Sequence, residues 1–262
     1  MVIRLLLVLF VSFLLSVAIT ALLLKKIKPC EGSVSSVGGI AIWFTFIVTS
    51  LFVVMFDISF SLVLGDFMII LITATFMFLA GVIDDKKELS ASMQFLAQSI
   101  IAFFVIVFGL RTHIVGIGVT GNYIVTFLWI VGITNAFNHL DIVDGLAAGI
   151  AFICAITFCI VSLLTGKGAI AIIFALLAGS VLGFLRYNFP VAKVYMGNAG
   201  SHFLGFVLST LSIMISYASF EKKIALLVPL IILGVPIFDT LFVMWMRILK
   251  RQYVWAKSDA HL

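Results

Sequence analysis

Nine long apolar stretches separated by short polar segments make up most of the chain: residues 5–24, 38–56, 67–83, 93–110, 123–137, 146–164, 169–185, 202–218 and 224–246. A helix of about 20 apolar residues crosses the hydrocarbon of a bilayer while satisfying its own backbone. The pattern therefore predicts an all-α, polytopic integral membrane protein of about nine transmembrane helices. No long linker, low-complexity tract or evident repeat interrupts it, so residues 1–262 read as a single membrane-embedded domain. Arg4 precedes the first stretch, whereas Lys25, Lys26 and Lys28 follow it. A secretory signal has a shorter apolar region and the opposite charge balance, so this is a retained first span with its N-terminus outside.

Composition agrees with the pattern: 64% of the residues are hydrophobic and 10% charged, against roughly a quarter charged in soluble domains. That excludes a soluble, disordered or collagen-like chain. Cys30, Cys154 and Cys159 are too scattered for a disulfide framework or a zinc cluster. The net charge of +5 does not point to a nucleic-acid partner, because its distribution follows membrane topology. With alternating helices, eleven cations (Lys25, Lys26, Lys28, Lys86, Lys87, Arg186, Lys193, Arg247, Lys250, Arg251, Lys257) fall inside and five (Arg4, Arg111, Lys167, Lys222, Lys223) outside. The same alternation gathers Asp84, Asp85, Glu88, Asp141, Asp144 and the polar run 188–201 on the inner face. Asp57, Asp66 and Glu221 lie outside as ordinary loop charges.

Three inner segments carry chemistry. The first, Gly81-Val-Ile-Asp84-Asp85-Lys-Lys-Glu88, ends a span with paired carboxylates. Such a pair suits Mg²⁺, which takes one or two carboxylates and completes its shell with water and phosphate oxygens; a solvated acidic loop is the plainer reading. The second, Asn135-Ala-Phe-Asn138-His-Leu-Asp141-Ile-Val-Asp144-Gly145, spaces four polar groups by threes, which shares one face if the helix continues. Polar groups aligned at the end of a span line a site or join helices, with Gly145 and Gly149 as a close-packing pair in the latter case. The third runs from Tyr187-Asn188 through Lys193 and Tyr195 to Gly197-Asn198-Ala-Gly200-Ser201. It leads into a helix whose free N–H groups offer a phosphate cradle, with Lys193 as a point charge, or it is a simple re-entrant turn. Asp239, inside the last stretch, is read as cleft-lining from the cost of burying it.

Together with Val235-Pro236-Ile-Phe238-Asp239-Thr240 and the C-terminal basic run ending Ala260-His261-Leu262, these ordered segments resemble the polyprenyl-phosphate N-acetylhexosamine-1-phosphate transferase family. The resemblance runs from Gly38-Gly39 to the last residue. It implies a multi-pass enzyme of the bacterial inner (cytoplasmic) membrane that transfers a sugar 1-phosphate from a UDP-N-acetylhexosamine to undecaprenyl phosphate. UMP would be released and envelope polysaccharide synthesis, such as lipopolysaccharide or cell wall, initiated. It further implies Mg²⁺ (or Mn²⁺) as cofactor and a homodimer. By the same resemblance Asp84, Asp85 and His261 are catalytic candidates, with Asp85, Asn138 and Asn198 as metal ligands. Asp141 and Asp144 fall at positions contacting the nucleoside, Tyr195 at one that stacks on uracil, and Asn188 in the same cleft. Asn135 and Lys193 complete the substrate-binding set.

The departures from the family pattern are specific. Asn198 stands where the family has a metal-binding aspartate, Glu88 replaces an aspartate, Ile142 a glycine, and Gln94 a phosphate-facing cation. The arginine and proline usual before the double glycine are absent, and the chain is short at its C-terminus relative to the family. Two rival readings follow: a family member that binds lipid or nucleotide without turnover, and a secondary transporter, since carboxylates within spans also mark ion pathways.

Overall fold

The computed structural model describes residues 1–27, 34–57, 60–215 and 227–250. Their regular structure is helical: α1 (Val2–Lys26), α2 (Gly38–Phe56), α3 (Leu64–Lys87), α4 (Ala91–Val107), α5 (Gly118–Leu140), α6 (Leu146–Leu164), α7 (Gly168–Asn188), α8 (Gly197–Met214), α9 (Leu227–Ile232) and α10 (Gly234–Leu249). Six of these, α1, α2, α3, α5, α6 and α7, are long and apolar enough to cross a membrane. The chain is thus a multi-pass membrane protein. The other expected spans differ from the pattern for physical reasons: α4 has only 17 residues, and α8 opens with Gly197, Asn198, Ser201 and His202. The stretch 224–246, expected as one helix, is broken between α9 and α10. Pro236 has no N–H to give the carbonyl of Ile232, and the Cys154 thiol donates to that oxygen instead, at 3.2 Å.

Helices α7 and α8 form the centre. α7 packs against α1, α2 and α6, while α8 packs against α2, α3, α5 and α6. Lipid is as apolar as leucine, so helices in a membrane associate through close packing and interhelical hydrogen bonds. Ser12 donates to the carbonyl of Leu176 at 2.8 Å and Ser16 to that of Ser180 at 2.6 Å, tying α1 to α7. The Trp129 indole donates to the Ser212 hydroxyl at 3.0 Å, tying α5 to α8. Trp43 stacks on Phe78 with centroids 4.6 Å apart, so both tryptophans join helices. Large apolar side chains such as Phe52, Phe103, Leu128 and Trp245 point outward, where lipid covers them.

Helices α3 to α8 are joined by short segments, and the C-terminal ends of α3, α5 and α7 meet the N-terminal ends of α4, α6 and α8 at one end of the bundle. The opposite end is closed by structural contacts. Arg4 pairs with Asp57, so Asp57 is more than a loop charge. The Asn122 side chain there accepts from Ile114 N at 2.7 Å and donates to Gly118 O at 2.7 Å, stitching the α4–α5 loop.

Candidate active site

The last turn of α3 supplies Asp84 and Asp85, which face different surroundings. Asp84 is 2% exposed. Its carboxylate accepts from Leu89 N at 2.8 Å and from the Gln94 side chain at 2.8 Å, closing the α3–α4 turn. That turn is sharp because Glu88 takes a left-handed backbone, φ 48°, which is uncommon for a residue with a Cβ. Asp85 points to the open end, where its two oxygens accept from Asn198 N at 2.8 Å and Ala199 N at 3.0 Å. The phosphate cradle expected at the start of α8 is therefore occupied by a carboxylate of the protein itself, the charge a helix N-terminus favours. The approach depends on Gly81, where a Cβ would lie 2.5 Å from Ala199 Cα.

Helix α5 ends at Leu140, so the four spaced polar residues do not share one helical face. Asn135 turns into the bundle, donating to Gln98 and to Val131 O. Asn138 stands nearer the open end and its oxygen accepts from the Ser201 hydroxyl at 3.0 Å. Asp141 and Asp144 lie in the following turn, which Gly145 closes at φ 74°, a conformation open to glycine. Asn188 holds that turn: its oxygen accepts from Gly145 N at 3.1 Å and its amide donates to Val194 O at 2.9 Å. Asp144 accepts from Ala192 N at 3.0 Å. Gly149 has open space around it, so it forms no close-packing pair with Gly145.

Asp141 is the most electrostatically loaded group at this end. Burial pushes its carboxyl up to about 7, and the negative charges of Asp85 and Asp144 add to the shift against a hydrogen bond from Gly197 N–H. Asp85 and Asp144 thus lie within electrostatic range of Asp141, and Asp85 and Asn138 both bond to the first turns of α8, which makes this end of the bundle an acidic, amide-lined pocket. Tyr195 lies at the rim, 42% exposed, its backbone pinned between Ser35 O and Gly38 N, each at 2.9 Å. The Lys193 side chain is exposed, with its backbone N donating to Tyr187 O at 2.8 Å. His139 lies within electrostatic reach of Asp239 and Arg247 of α10. His261 falls outside the described residues.

Among the described residues no three His, Cys, Asp or Glu side chains converge as a ready metal cluster. The donor chemistry nevertheless fits a hard cation. Asp85, Asp141 and the Asn138 amide offer oxygen donors, and burial together with the charges of Asp85 and Asp144 disfavours ionised Asp141, a cost that a bound cation would relieve. A cation there would draw its remaining ligands from water and phosphate, as Mg²⁺ does. Sequence reading missed Gln98, and it named Gln94 and Ser201 without the partners they bond, Asp84 and Asn138. Gln94 and Gln98, four residues apart in the mostly apolar α4, were the available signal, because amide side chains inside a membrane helix seldom stand there without a partner.

These features define a class: a helical membrane protein with an acidic and amide-lined site at one end of its bundle. The model of Glycosyl transferase family 4 matches residues 67–216, and the chain belongs to that family. It is 41% identical over 190 residues to a probable undecaprenyl-phosphate N-acetylglucosaminyl 1-phosphate transferase of Bacillus subtilis (strain 168), covering 70% of this chain and 53% of the relative. It is 34% identical over 204 residues to a phospho-N-acetylmuramoyl-pentapeptide-transferase of Staphylococcus aureus (strain MSSA476), covering 69% and 62% respectively. Identity is 30% over 193 residues with an undecaprenyl-phosphate alpha-N-acetylglucosaminyl 1-phosphate transferase of Thermotoga maritima, covering 71% and 56%. The aligned part spans between 53% and 62% of these relatives' lengths.

Proposed function

We propose that this chain transfers an N-acetylhexosamine 1-phosphate from a UDP-sugar to undecaprenyl phosphate, initiating an envelope polysaccharide. The observation that carries the reading is that Asp141 lies within electrostatic range of both Asp85 and Asp144, with Asp85 and Asn138 bonded to the same first turns of α8, in a family whose relatives are named for this transfer. An oxygen of the lipid phosphate attacks the sugar-linked phosphorus in line, the bond to the uridine-linked phosphate breaks, and UMP leaves. Phosphoryl transfer asks the protein mainly for positioning and charge stabilisation. Asp85, fixed on α8, orients the acceptor phosphate; Asn138 offers an amide to the diphosphate; Asp141, Asp144 and Tyr195 line the nucleoside side. Asp85, Asp141, Asn138 and Asn198 are the residues that would hold Mg²⁺, which when bound supplies charge neutralisation on the diphosphate.

The pocket faces the cytoplasm, with the N-terminus outside. The pocket end carries Lys25, Lys26, Lys86, Lys87, Arg186, Lys193, Arg247 and Lys250, against Arg4, Arg111 and Lys167 at the other among the described residues, the asymmetry expected of an inside face. A second reading, binding without turnover, is favoured by Asn198, which brings an amide and no charge to the first turn of α8. Radiolabel transfer from UDP-N-acetylhexosamines to undecaprenyl phosphate, with Mg²⁺ or EDTA, separates the two. Metal-dependent lipid product supports transfer; nucleotide binding with no product supports the second reading and overturns the first.

A further inference from the structure

Beneath the acidic pocket, one turn deeper into the bundle, lies a set of polar side chains that the transfer chemistry does not use. Gln98 is 1% exposed and His202 2% exposed, in surroundings where an unpaired polar group costs several kcal/mol. Their hydrogen bonds run in one direction only. The Asn135 amide donates to Val131 O at 2.9 Å, and a carbonyl can only accept, so its NH₂ must lie on that side. The same NH₂ meets Gln98 Oε1, which turns the NH₂ of Gln98 toward His202 Nε2, 3.4 Å away. That nitrogen must then accept, so His202 is a neutral ring with its proton on Nδ1. Flipping either amide would set oxygen against oxygen or NH₂ against NH₂. The Val131 carbonyl thereby dictates every orientation out to α8.

This chain touches the pocket at two points. Gln94, one turn before Gln98 on the same side of α4, donates to Asp84 Oδ2 at 2.8 Å and to Leu89 O at 3.3 Å. Ser201, next to His202, donates to Asn138 Oδ1 at 3.0 Å; Asn138 itself lies one turn beyond Asn135 on α5. Helices α3, α4, α5 and α8, which carry the pocket residues or abut them, are thus joined in one polar layer.

We propose that Gln94, Gln98, Asn135 and His202 are positioning residues: a directional hydrogen-bonded layer that holds Asp84 and Asn138 in register across four helices. Asn135 on this view contacts no substrate, and Asp84 acts as the anchor of the α3–α4 turn while Asp85 alone faces the reactants. A fully satisfied buried network gives one rigid arrangement, and a half-satisfied one is costly, so removal of one acceptor should loosen the register above it.

The test rests on the proposed transferase reading and is arranged so that the two fail separately. Parent, Gln98→Leu, His202→Leu and His202→Gln proteins are purified in detergent, and kcat and KM for the UDP-sugar are measured by label transfer. A shift of the reacting groups by about 1 Å can cost on the order of 100-fold. The expected result is therefore a fall in kcat of at least about tenfold for both leucine variants, with KM changed less than about twofold. Most of the rate should return in His202→Gln, whose carbonyl oxygen accepts as the ring nitrogen did. Unchanged kcat, a rise in KM with kcat intact, or a glutamine variant as poor as leucine overturns the proposal. If the parent makes no product, the transferase reading fails and the layer is judged by thermal unfolding. Gln98→Leu and Asp84→Asn should then shift the melting temperature non-additively although the two residues share no direct bond, and additive shifts overturn the layer.

Discussion

Gly81→Ala tests how Asp85 is held. A Cβ at this position would lie 2.5 Å from Ala199 Cα, 2.6 Å from Asn198 O and 2.7 Å from Ala199 N. All three are backbone atoms, so no side chain can swing away, and ordinary contact requires α3 and α8 to part by about 1 Å. The hydrogen bonds from Asn198 N and Ala199 N to Asp85, now 2.8 and 3.0 Å, would stretch beyond bonding range. Overpacking costs about 1–3 kcal/mol, and each charge-assisted bond lost adds about 1.5–3 kcal/mol less what water returns at this open end. A total near 3 kcal/mol corresponds to a fall in melting temperature of roughly 6–12 °C for a chain of this size. Transfer activity should fall about 100-fold or more, because the displaced carboxylate faces the reactants. Gly132→Ala is the control, since a Cβ there meets nothing within 4 Å; it should leave activity intact and raise stability by up to about 1 kcal/mol. A Gly81→Ala protein that melts with the parent and keeps its rate would refute the idea that this close approach fixes Asp85.

Two further expectations concern charge. Asp141, pushed up to about 7, stays protonated in the folded protein where the unfolded chain has already ionised, so without a cation this group's contribution to stability is lost as pH rises from about 4 through 7. Mg²⁺ must displace that proton, so its apparent affinity should rise up to tenfold per pH unit below about 7 and then level. Melting curves between about pH 5.5 and 8 with and without Mg²⁺ should show both trends, and Asp141→Asn should flatten them. At the other end, Arg4→Ala removes the contact between Arg4 and the Asp57 side chain, which is 8% exposed. Arg4 is itself 43% exposed, so a loss of about 1 kcal/mol is expected, with KM for the donor unchanged; a changed KM would contradict the assignment of the site to the opposite end.

The helices themselves were legible because hydrophobic stretches report burial in lipid directly: the expected 38–56 and 146–164 coincide with Gly38–Phe56 and Leu146–Leu164. What the pattern could not show was polar contact over long sequence separation. Nothing near Asp85 announces that its carboxylate caps a helix that starts 112 residues later, at Gly197. Nor does the threefold spacing of Asn135, Asn138, Asp141 and Asp144 reveal that α5 stops at Leu140, because the stop depends on Gly145 and on Asn188 reaching back from α7. The break before α10 was marked by Pro236, but the acceptance of the Cys154 thiol by the freed carbonyl was not. Sequence spacing thus grouped residues that the structure gathers at one end of the bundle, while the partners each of them bonds lay beyond its reach.

Asn198 is where charge at this pocket has a sign that a single substitution can read. Its N–H donates to Asp85 Oδ1, so its side chain belongs to the same first turn of α8 that faces Asp85 and Asp141. Asn198→Asp adds a further carboxylate to a place where like charge already raises Asp141. Without a divalent cation the helix dipole offers about 0.3–1 kcal/mol in return, but Asp85 already occupies those N–H groups, so repulsion should dominate and the melting temperature should fall. With saturating Mg²⁺ the added charge becomes an added ligand, so the same variant should melt above the parent and bind the cation more tightly by about tenfold or more. The effect therefore reverses sign with the cation. A variant that is stabilised equally in Mg²⁺ and in EDTA would show that position 198 senses only the dipole of α8, and would remove Asn198 from the cation-binding set.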